Sequence, residues 1–290
     1  MKLAEVDYVR AETVAHALAL LAETDVDSKI LAGGQSLMPL LAMRLAGPQR
    51  LIDIGRIAGL DRLEVVGDRL VIGGLVRHHR IATDPLVARA APLLAAAAPH
   101  VAHPAIRNRG TFAGSLAHAD PAAEFPACAL ALGAEITLAS AAGTRTVAAD
   151  DFFEGLYQTA VRPDELLIEV SVPVETPASR FAFVEFARRS GDYALAGLAA
   201  AARAEGDRLT DLRLAFFGIG DTPVPAPEAA TILSSGPIDD ALIEQAVDSL
   251  APLEVRDSAT AGEKYRRHLA GVALRRAAAA LARPEAAACR

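Results

Sequence analysis

With 290 residues, 52% hydrophobic and 22% charged, the chain can bury a large core and is not disordered as a whole. Its net charge of −7 argues against nucleic acid as a partner, because phosphate backbones demand a basic face. No apolar run approaches the ~20 residues of a membrane span, and Met1-Lys2-Leu3 leads straight into charged residues, so neither membrane insertion nor a secretory signal is expected. In chain order, Met1 to Arg10 leads to a helix predicted from Thr13 to Glu23, with Val14, Ala17, Leu18 and Leu21 as its inner stripe. Next, the β-prone Lys29-Ile30-Leu31 enters the glycine pair Gly33-Gly34. Ser36 can then cap a helix carrying Leu37, Leu40, Leu41 and Leu45. Strand, double glycine and helix start let the backbone approach a ligand closely, and the free N–H groups there favour an anion such as pyrophosphate. A plain tight turn has the same signature. The Rossmann and Walker patterns are absent.

Arg50 to Ile54 reads as a strand after the break at Gly47-Pro48, and Leu63–Val66 with Leu70–Ile72 as a hairpin turning at Gly67-Asp68. Gly73-Gly74 leads to Val76-Arg77-His78-His79 and a helix over Pro85 to Ala98. Helices alternating with short strands indicate an α+β fold and no regular βαβ array. Adjacent His78 and His79 on a strand would point to opposite faces, and His100-x-x-His103 lacks further ligands nearby. Surface or loop histidines are therefore expected, with no metal site. A second small-residue stretch follows, Ile106-Arg107-Asn108-Arg109-Gly110-Thr111-Phe112-Ala113-Gly114-Ser115-Leu116, and beyond it the carboxylates Asp120 and Glu124. One loop holding phosphate and another offering hydroxyls and carboxylates to ribose or ribityl hydroxyls would suit a dinucleotide.

Ala122 to Leu132 reads as a buried helix ending at Gly133, with Cys128 packed as a small hydrophobe. The other cysteine, Cys289, falls in a tail, Pro284 to Arg290, expected to fray. Two distant cysteines make no disulfide framework and too few thiolates for an iron–sulfur cluster, and a reducing cytoplasm is the expected compartment. Glu135–Leu138 and Arg145–Val147 form a hairpin around Ala142-Gly143, Asp150 to Phe153 a short helical piece, and Glu165–Val172 a strand ending at Pro173. The link Pro173-Val174-Glu175-Thr176-Pro177 marks a boundary between domains 1–175 and 176–290. Beyond it come three longer antiparallel strands, Phe181–Ala187, Ala194–Ala204 and Leu209–Gly218, then helices over Asp239–Leu250 and Gly262–Leu281. They suggest a sheet with helices on one face.

The stretches around Gly33-Gly34 and Thr111 to Ser115, the segment Arg188-Arg189-Ser190-Gly191-Asp192-Tyr193-Ala194 and the run Ser258 to Leu269 together resemble the FAD-binding (medium) subunit of the molybdenum hydroxylases, the family of aerobic carbon monoxide dehydrogenase and xanthine dehydrogenase. The family's first motif is Ala-Gly-Gly-x-Ser and its second Thr-x-Gly-Gly-(Ser/Asn), in this order and spacing. This chain departs at Ala113, where the family usually has glycine, and at Gln35, where histidine is common in carbon monoxide dehydrogenases.

The resemblance implies an α+β fold: a two-lobed FAD-binding domain of the PCMH (vanillyl-alcohol-oxidase-like) type, then a C-terminal domain of antiparallel sheet packed with helices. It implies that Ala32, Gly33, Gly34, Gln35 and Ser36 cradle the pyrophosphate of FAD. Thr111, Ala113, Gly114 and Ser115 would line the second side, and Glu124 and Asp120 would meet hydroxyls. Leu167 would be an apolar contact, and Tyr193 would stand at the isoalloxazine edge. Read from the residues alone, Leu167 is equally an ordinary core leucine and Gly191-Asp192 a plain turn. No general acid or base is implied. The implied partners are a molybdopterin-binding large subunit and a [2Fe–2S] small subunit in a dimer of heterotrimers, with FAD passing electrons to an external acceptor. Two other readings remain open: a self-sufficient FAD-dependent oxidase or reductase of the same fold, and a non-redox module binding another phosphate ligand.

Overall fold

In the computed structural model, which describes residues 3–283, the chain begins with β1 (Asp7–Arg10), α1 (Val14–Leu21), β2 (Ser28–Leu31), α2 (Leu37–Ala42) and β3 (Arg50–Asp53). Thr13 caps α1 by accepting from the His16 amide at 3.1 Å, and Ala17, Leu18 and Leu21 bury as the periodicity predicts. The strands form a three-stranded sheet ordered β1-β3-β2, with both pairings parallel. The first lobe is thus a small parallel array, which the general α+β pattern concealed. The second predicted helix is shorter than its leucine spacing suggests. It ends at Ala42, Arg44 turns left-handed at φ 59°, and Leu45 is 71% exposed.

The second lobe adds β4 (Leu63–Val66), β5 (Arg69–Gly73), α3 (His78–Thr83), α4 (Pro85–Ala90), α5 (Pro92–Ala97), α6 (Pro104–Arg107), α7 (Phe112–His118) and α8 (Glu124–Ala131). There follow β6 (Glu135–Ser140), β7 (Gly143–Ala148), β8 (Phe153–Gly155), β9 (Gln158–Thr159) and β10 (Leu166–Pro173). Both predicted hairpins form, and β10 runs antiparallel between them, giving the order β4-β5-β10-β6-β7. Two expectations change here. The helix over Pro85 to Ala98 is broken at Ala91, because Pro92 has no N–H to continue the ladder and restarts the chain as α5. His78 opens a helix instead of lying on a strand, and it is buried at 5% exposure, whereas His79 and His103 are exposed as expected. Every residue of α8 is buried, Cys128 included.

The remainder comprises β11 (Ser179–Ala187), β12 (Ala194–Glu205), β13 (Arg208–Phe217), β14 (Val224–Pro225), α9 (Pro227–Leu233), α10 (Asp240–Asp248) and α11 (Glu263–Leu281). Its four strands are antiparallel in sequence order. Sequence reading missed α9. It also put helices on one face of this sheet only, and the structure covers both. Ala196, Leu198, Leu214 and Phe216 pack with α9, α10 and α11, while Ala199, Ala215 and Phe217 join the core of the second lobe with α5 and α8. The alanine-rich strand β12 lets helices approach from either side. Arg213 fastens the seam, donating to the Leu130 carbonyl at 2.9 Å and to Asp150 Oδ1 at 2.6 Å. The tail from Pro284, with Cys289, lies outside the described residues.

Candidate functional site

Two loops from different parts of the chain meet edge to edge. A Cβ on Gly33, in the β2–α2 turn, would stand 2.4 Å from the Arg109 carbonyl oxygen and 2.7 Å from the Gly110 Cα, closer than any side chain tolerates. Gly33 is therefore required by contact between the two loops, before any ligand is considered. Its neighbour Gly34 has φ +72°, a left-handed conformation that disfavours a side chain. The first loop is lightly braced: Gln35 Nε2 donates to the Gly33 carbonyl at 2.9 Å, and the Met38 amide to the Gly34 carbonyl at 3.1 Å. Ser36 occupies the capping position in a helical conformation and makes no side-chain cap, contrary to the expected role.

The second loop is bound more tightly. Thr111 caps α7, its Oγ1 accepting from the Gly114 amide at 3.1 Å, and the Ser115 amide reaches the Thr111 carbonyl at 3.0 Å. The His78 amide donates to the Gly110 carbonyl at 3.0 Å and the Phe112 amide to the Val76 carbonyl at 2.9 Å, fixing the loop to the start of α3. Beneath it the rings of His78, Phe125 and Phe112 pack in succession at 5.1 and 5.0 Å.

Both loops line one cleft of about 1670 Å³, and every residue nominated from the sequence is on its wall: Ala32 to Ser36, Thr111, Ala113, Gly114, Ser115, Asp120, Glu124, Leu167 and Tyr193. Leu167 is 6% exposed in the second lobe's core and also lines the wall. Ala113 is 3% exposed, its methyl accommodated in the same core. Among the described residues, the amides of Gly33, Gly34, Gln35 and Ser36 in the first loop, and of Thr111 and Ala113 in the second, donate no hydrogen bond within the protein. Unpaired amides on a concave wall are suited to a phosphate-bearing ligand.

The carboxylates occupy different settings. Asp120 is partly buried and accepts from the Ala122 amide at 2.9 Å. Glu124 is 8% exposed, and its pKa is pushed up to about 8, first by burial and then by the negative charge of Glu185. His78 goes the other way, down to about 4, through burial and the nearby Arg107 guanidinium. Its Nδ1 has no hydrogen-bond partner among the described residues. Arg107 itself holds the adjoining loop, donating to the carbonyls of Pro99, Val101 and Ala102 at 3.1, 2.9 and 2.7 Å.

Sequence reading missed part of the wall. His118 and Tyr157 line the cleft with their rings 5.1 Å apart, and Tyr157 sits at φ 55°, a strained conformation for an aromatic residue. Both the Tyr157 and the Tyr193 hydroxyl are shifted up, by burial first and by the Asp120 charge second. The available signal was Gly155-Leu156-Tyr157 between two very short strands, a turn exposing apolar side chains. No cluster of His, Cys, Asp and Glu among the described residues is arranged to hold a metal, and no helix there is long and apolar enough to cross a membrane.

Known proteins match this arrangement from end to end. The FAD binding domain in molybdopterin dehydrogenase matches residues 4–175, and the CO dehydrogenase flavoprotein C-terminal domain matches residues 181–281. The nicotine 6-hydroxylase medium subunit of Paenarthrobacter nicotinovorans is 43% identical over 249 residues, covering 86% of this chain and 87% of that one. The carbon monoxide dehydrogenase medium chain of Hydrogenophaga pseudoflava is 34% identical over 272 residues, covering 93% and 95%. Among solved structures, the carbon monoxide dehydrogenase from Hydrogenophaga pseudoflava that lacks the Mo-pyranopterin moiety superposes with a TM-score of 0.94 at 34% identity, over 97% of this chain and 98% of that one. Quinoline 2-oxidoreductase from Pseudomonas putida 86 gives a TM-score of 0.92 at 37% identity, over 97% and 98%. With both domain types matched along the chain, it belongs to the family of FAD-binding medium subunits of the molybdenum hydroxylases.

Proposed function

We propose that this chain is the FAD-carrying electron-transfer subunit of a heterotrimeric molybdenum hydroxylase, working with a molybdopterin-binding large subunit and a [2Fe–2S] small subunit in a dimer of heterotrimers in the cytoplasm. The carrying observation is the meeting of two amide-lined loops on a single cleft. When bound, FAD supplies the redox chemistry, accepting electrons from the small subunit's clusters and yielding them to an external acceptor.

The chain's own residues bind and orient that cofactor. The amides of Gly33 to Ser36, with Ala32 at the strand end, hold pyrophosphate from one side. Thr111, Ala113, Gly114 and Ser115 hold the phosphate and ribityl region from the other. Asp120 and Glu124 meet hydroxyls, Leu167 supplies an apolar wall, and Tyr193, 75% exposed, stands at the mouth where it controls access to the ring. We place the division of labour at residue 175, with FAD held by 1–175 and buttressed by 176–290.

The test is an absorption spectrum of the chain purified with its co-expressed partners, followed by identification of the released cofactors. Flavin in this chain, with iron–sulfur absorbance and molybdenum in the others, is the expected result. An isolated chain that holds FAD and oxidises a small substrate unaided would replace this reading with a self-sufficient oxidase. Failure to take up FAD, with a different phosphate ligand bound, would replace both.

A further inference from the structure

The hairpin of β8 and β9 carries a tyrosine where the backbone asks for glycine or asparagine. Gly155 pairs with Gln158 across the two strands, so Leu156 and Tyr157 make the turn. Tyr157, the second of them, is left-handed at φ 55°, whereas Gly155 lies outside the left-handed region and leaves its freedom unused. An aromatic residue in that conformation costs stability, and core packing does not offset it, since Tyr157 is 52% exposed and Leu156 49%. The two side chains differ in setting: Tyr157 lines the cleft and Leu156 does not. The Tyr157 ring lies against that of His118, with centroids 5.1 Å apart and planes tilted by 40°. His118 is the last residue of α7, the helix whose start brings Thr111 and Ala113 to the cleft and whose Phe112, Ala113 and Leu116 are buried. The helix rises about 10 Å from its cap to His118, the reach of an extended ribityl chain and its phosphate ester. The chain has four tyrosines and no tryptophan, and Tyr157 and Tyr193 are the two tyrosines on the wall.

We propose that Tyr157 is a cofactor contact: its ring, backed by His118, is the surface against which the flavin ring of FAD lies, and the strained turn is retained to put it there. This rests on the FAD reading above. Helix α7 then serves both ends of the ligand, with phosphate at its first turn and the aromatic pair at its last. Unpaired amides by themselves accept the phosphates of any nucleotide. An aromatic face one ribityl length away selects a ligand that carries a broad, flat ring at that distance, because stacking there covers apolar surface on both partners. The backing matters as well. His118 is fixed by its buried helix, so the tyrosine that leans on it is ordered before the ligand arrives.

The experiment compares Tyr157→Asn, Tyr157→Phe and Leu156→Ala in the chain co-purified with its partner subunits. Asparagine accepts the left-handed turn without the ring, phenylalanine keeps the ring, and Leu156→Ala alters the side chain that is off the wall. The FAD dissociation constant should rise about tenfold in Tyr157→Asn and stay within about twofold of wild type in the other two. The cofactor-free Tyr157→Asn chain should melt at or above the wild-type temperature, because strain is relieved and little packing is lost. Flavin emission reports the contact itself, since a phenol touching the excited flavin quenches it by electron donation and a phenyl ring does not. In a Tyr193→Phe background Tyr157 is the tyrosine left on the wall, and Tyr157→Phe should there lengthen the emission lifetime of the bound flavin. Wild-type affinity in Tyr157→Asn, or an unchanged lifetime, would overturn the proposal while leaving FAD binding intact. A lower melting temperature of the cofactor-free Tyr157→Asn chain would assign the residue to packing and overturn it too. Loss of a partner subunit from Tyr157→Asn at unchanged FAD affinity would make Tyr157 a partner contact instead. A wild-type assembly whose chain holds no FAD would overturn the underlying reading and this inference with it.

Discussion

The two loops that line the cleft differ in backbone: the first turns left-handed at Gly34 and is already helical at Ser36, whereas the second is extended at Thr111. The Gly33-Gly34 loop leads into a helix of six residues, has no side-chain cap and is braced by a single glutamine. The loop at Gly110 to Ser115 is capped by Thr111, tied to α3 through two backbone hydrogen bonds and underlaid by the buried His78, Phe125 and Phe112 rings. The second loop is the rigid wall, and the first is positioned by leaning on it through the bare Cα of Gly33. Binding sites built from a rigid and an adaptable half gain precision from the half whose amides are fixed before the ligand arrives.

The largest effect should come from the support of the rigid loop. His78 is held neutral at 5% exposure, its pKa depressed by burial to about 4 from the ordinary 6.5. A depressed histidine contributes stability that is present above its unfolded pKa and is lost as pH falls through the folded value. Stability should therefore decline between about pH 6.5 and pH 4, by roughly 3 kcal/mol from this one group. His78→Leu should flatten that part of the profile in denaturant melts at graded pH, and an unchanged slope would mean that His78 is not the group responsible.

Gly33→Val attacks the contact between the loops. With its Cβ forced to 2.4 Å from the Arg109 carbonyl, the loops must part, at a cost of about 2 kcal/mol and with FAD affinity reduced at least about tenfold. Gly47→Val, at a glycine whose added Cβ would meet nothing within 4 Å, is the matched control for the loss of a glycine. Undiminished affinity in Gly33→Val would show that the two loops do not need to touch.

The caps separate the loops further. Thr111→Ala removes the hydroxyl that accepts from the Gly114 amide and should cost about 1 kcal/mol in a thermal or denaturant melt. Ser36→Ala removes a hydroxyl that caps nothing and should change stability by less than about 0.5 kcal/mol. Equal losses at the two positions would erase the contrast drawn between the loops.

Much of this molecule was written locally. The hairpins around Gly67-Asp68 and Ala142-Gly143, the strands of the second domain and helix α11 form where turn residues and apolar spacing put them, because these signals act between residues close in sequence. The wall of the cleft was legible for the same reason: each of its two main loops carries its own glycines and hydroxyls in a short run that also bears the family resemblance. Ser36 shows the limit, since a good capping residue sits at the right position and the backbone there is already helical.

What only tertiary structure decided lies in contacts between distant segments. His78 carries no sign in its own neighbourhood that Phe125 and Gly110 will enclose it. The alanines of β12 do not say that helices of the first domain will cover the second face of their sheet. Nor does the sequence around Gly33 reveal that its missing side chain makes room for the Arg109 carbonyl. Composition and periodicity report which residues bury and in what local geometry, but burial is non-directional. Which buried faces meet is settled by the packing of the whole chain, and with it the burial that raises the pKa of Glu124 and the shape of the cleft.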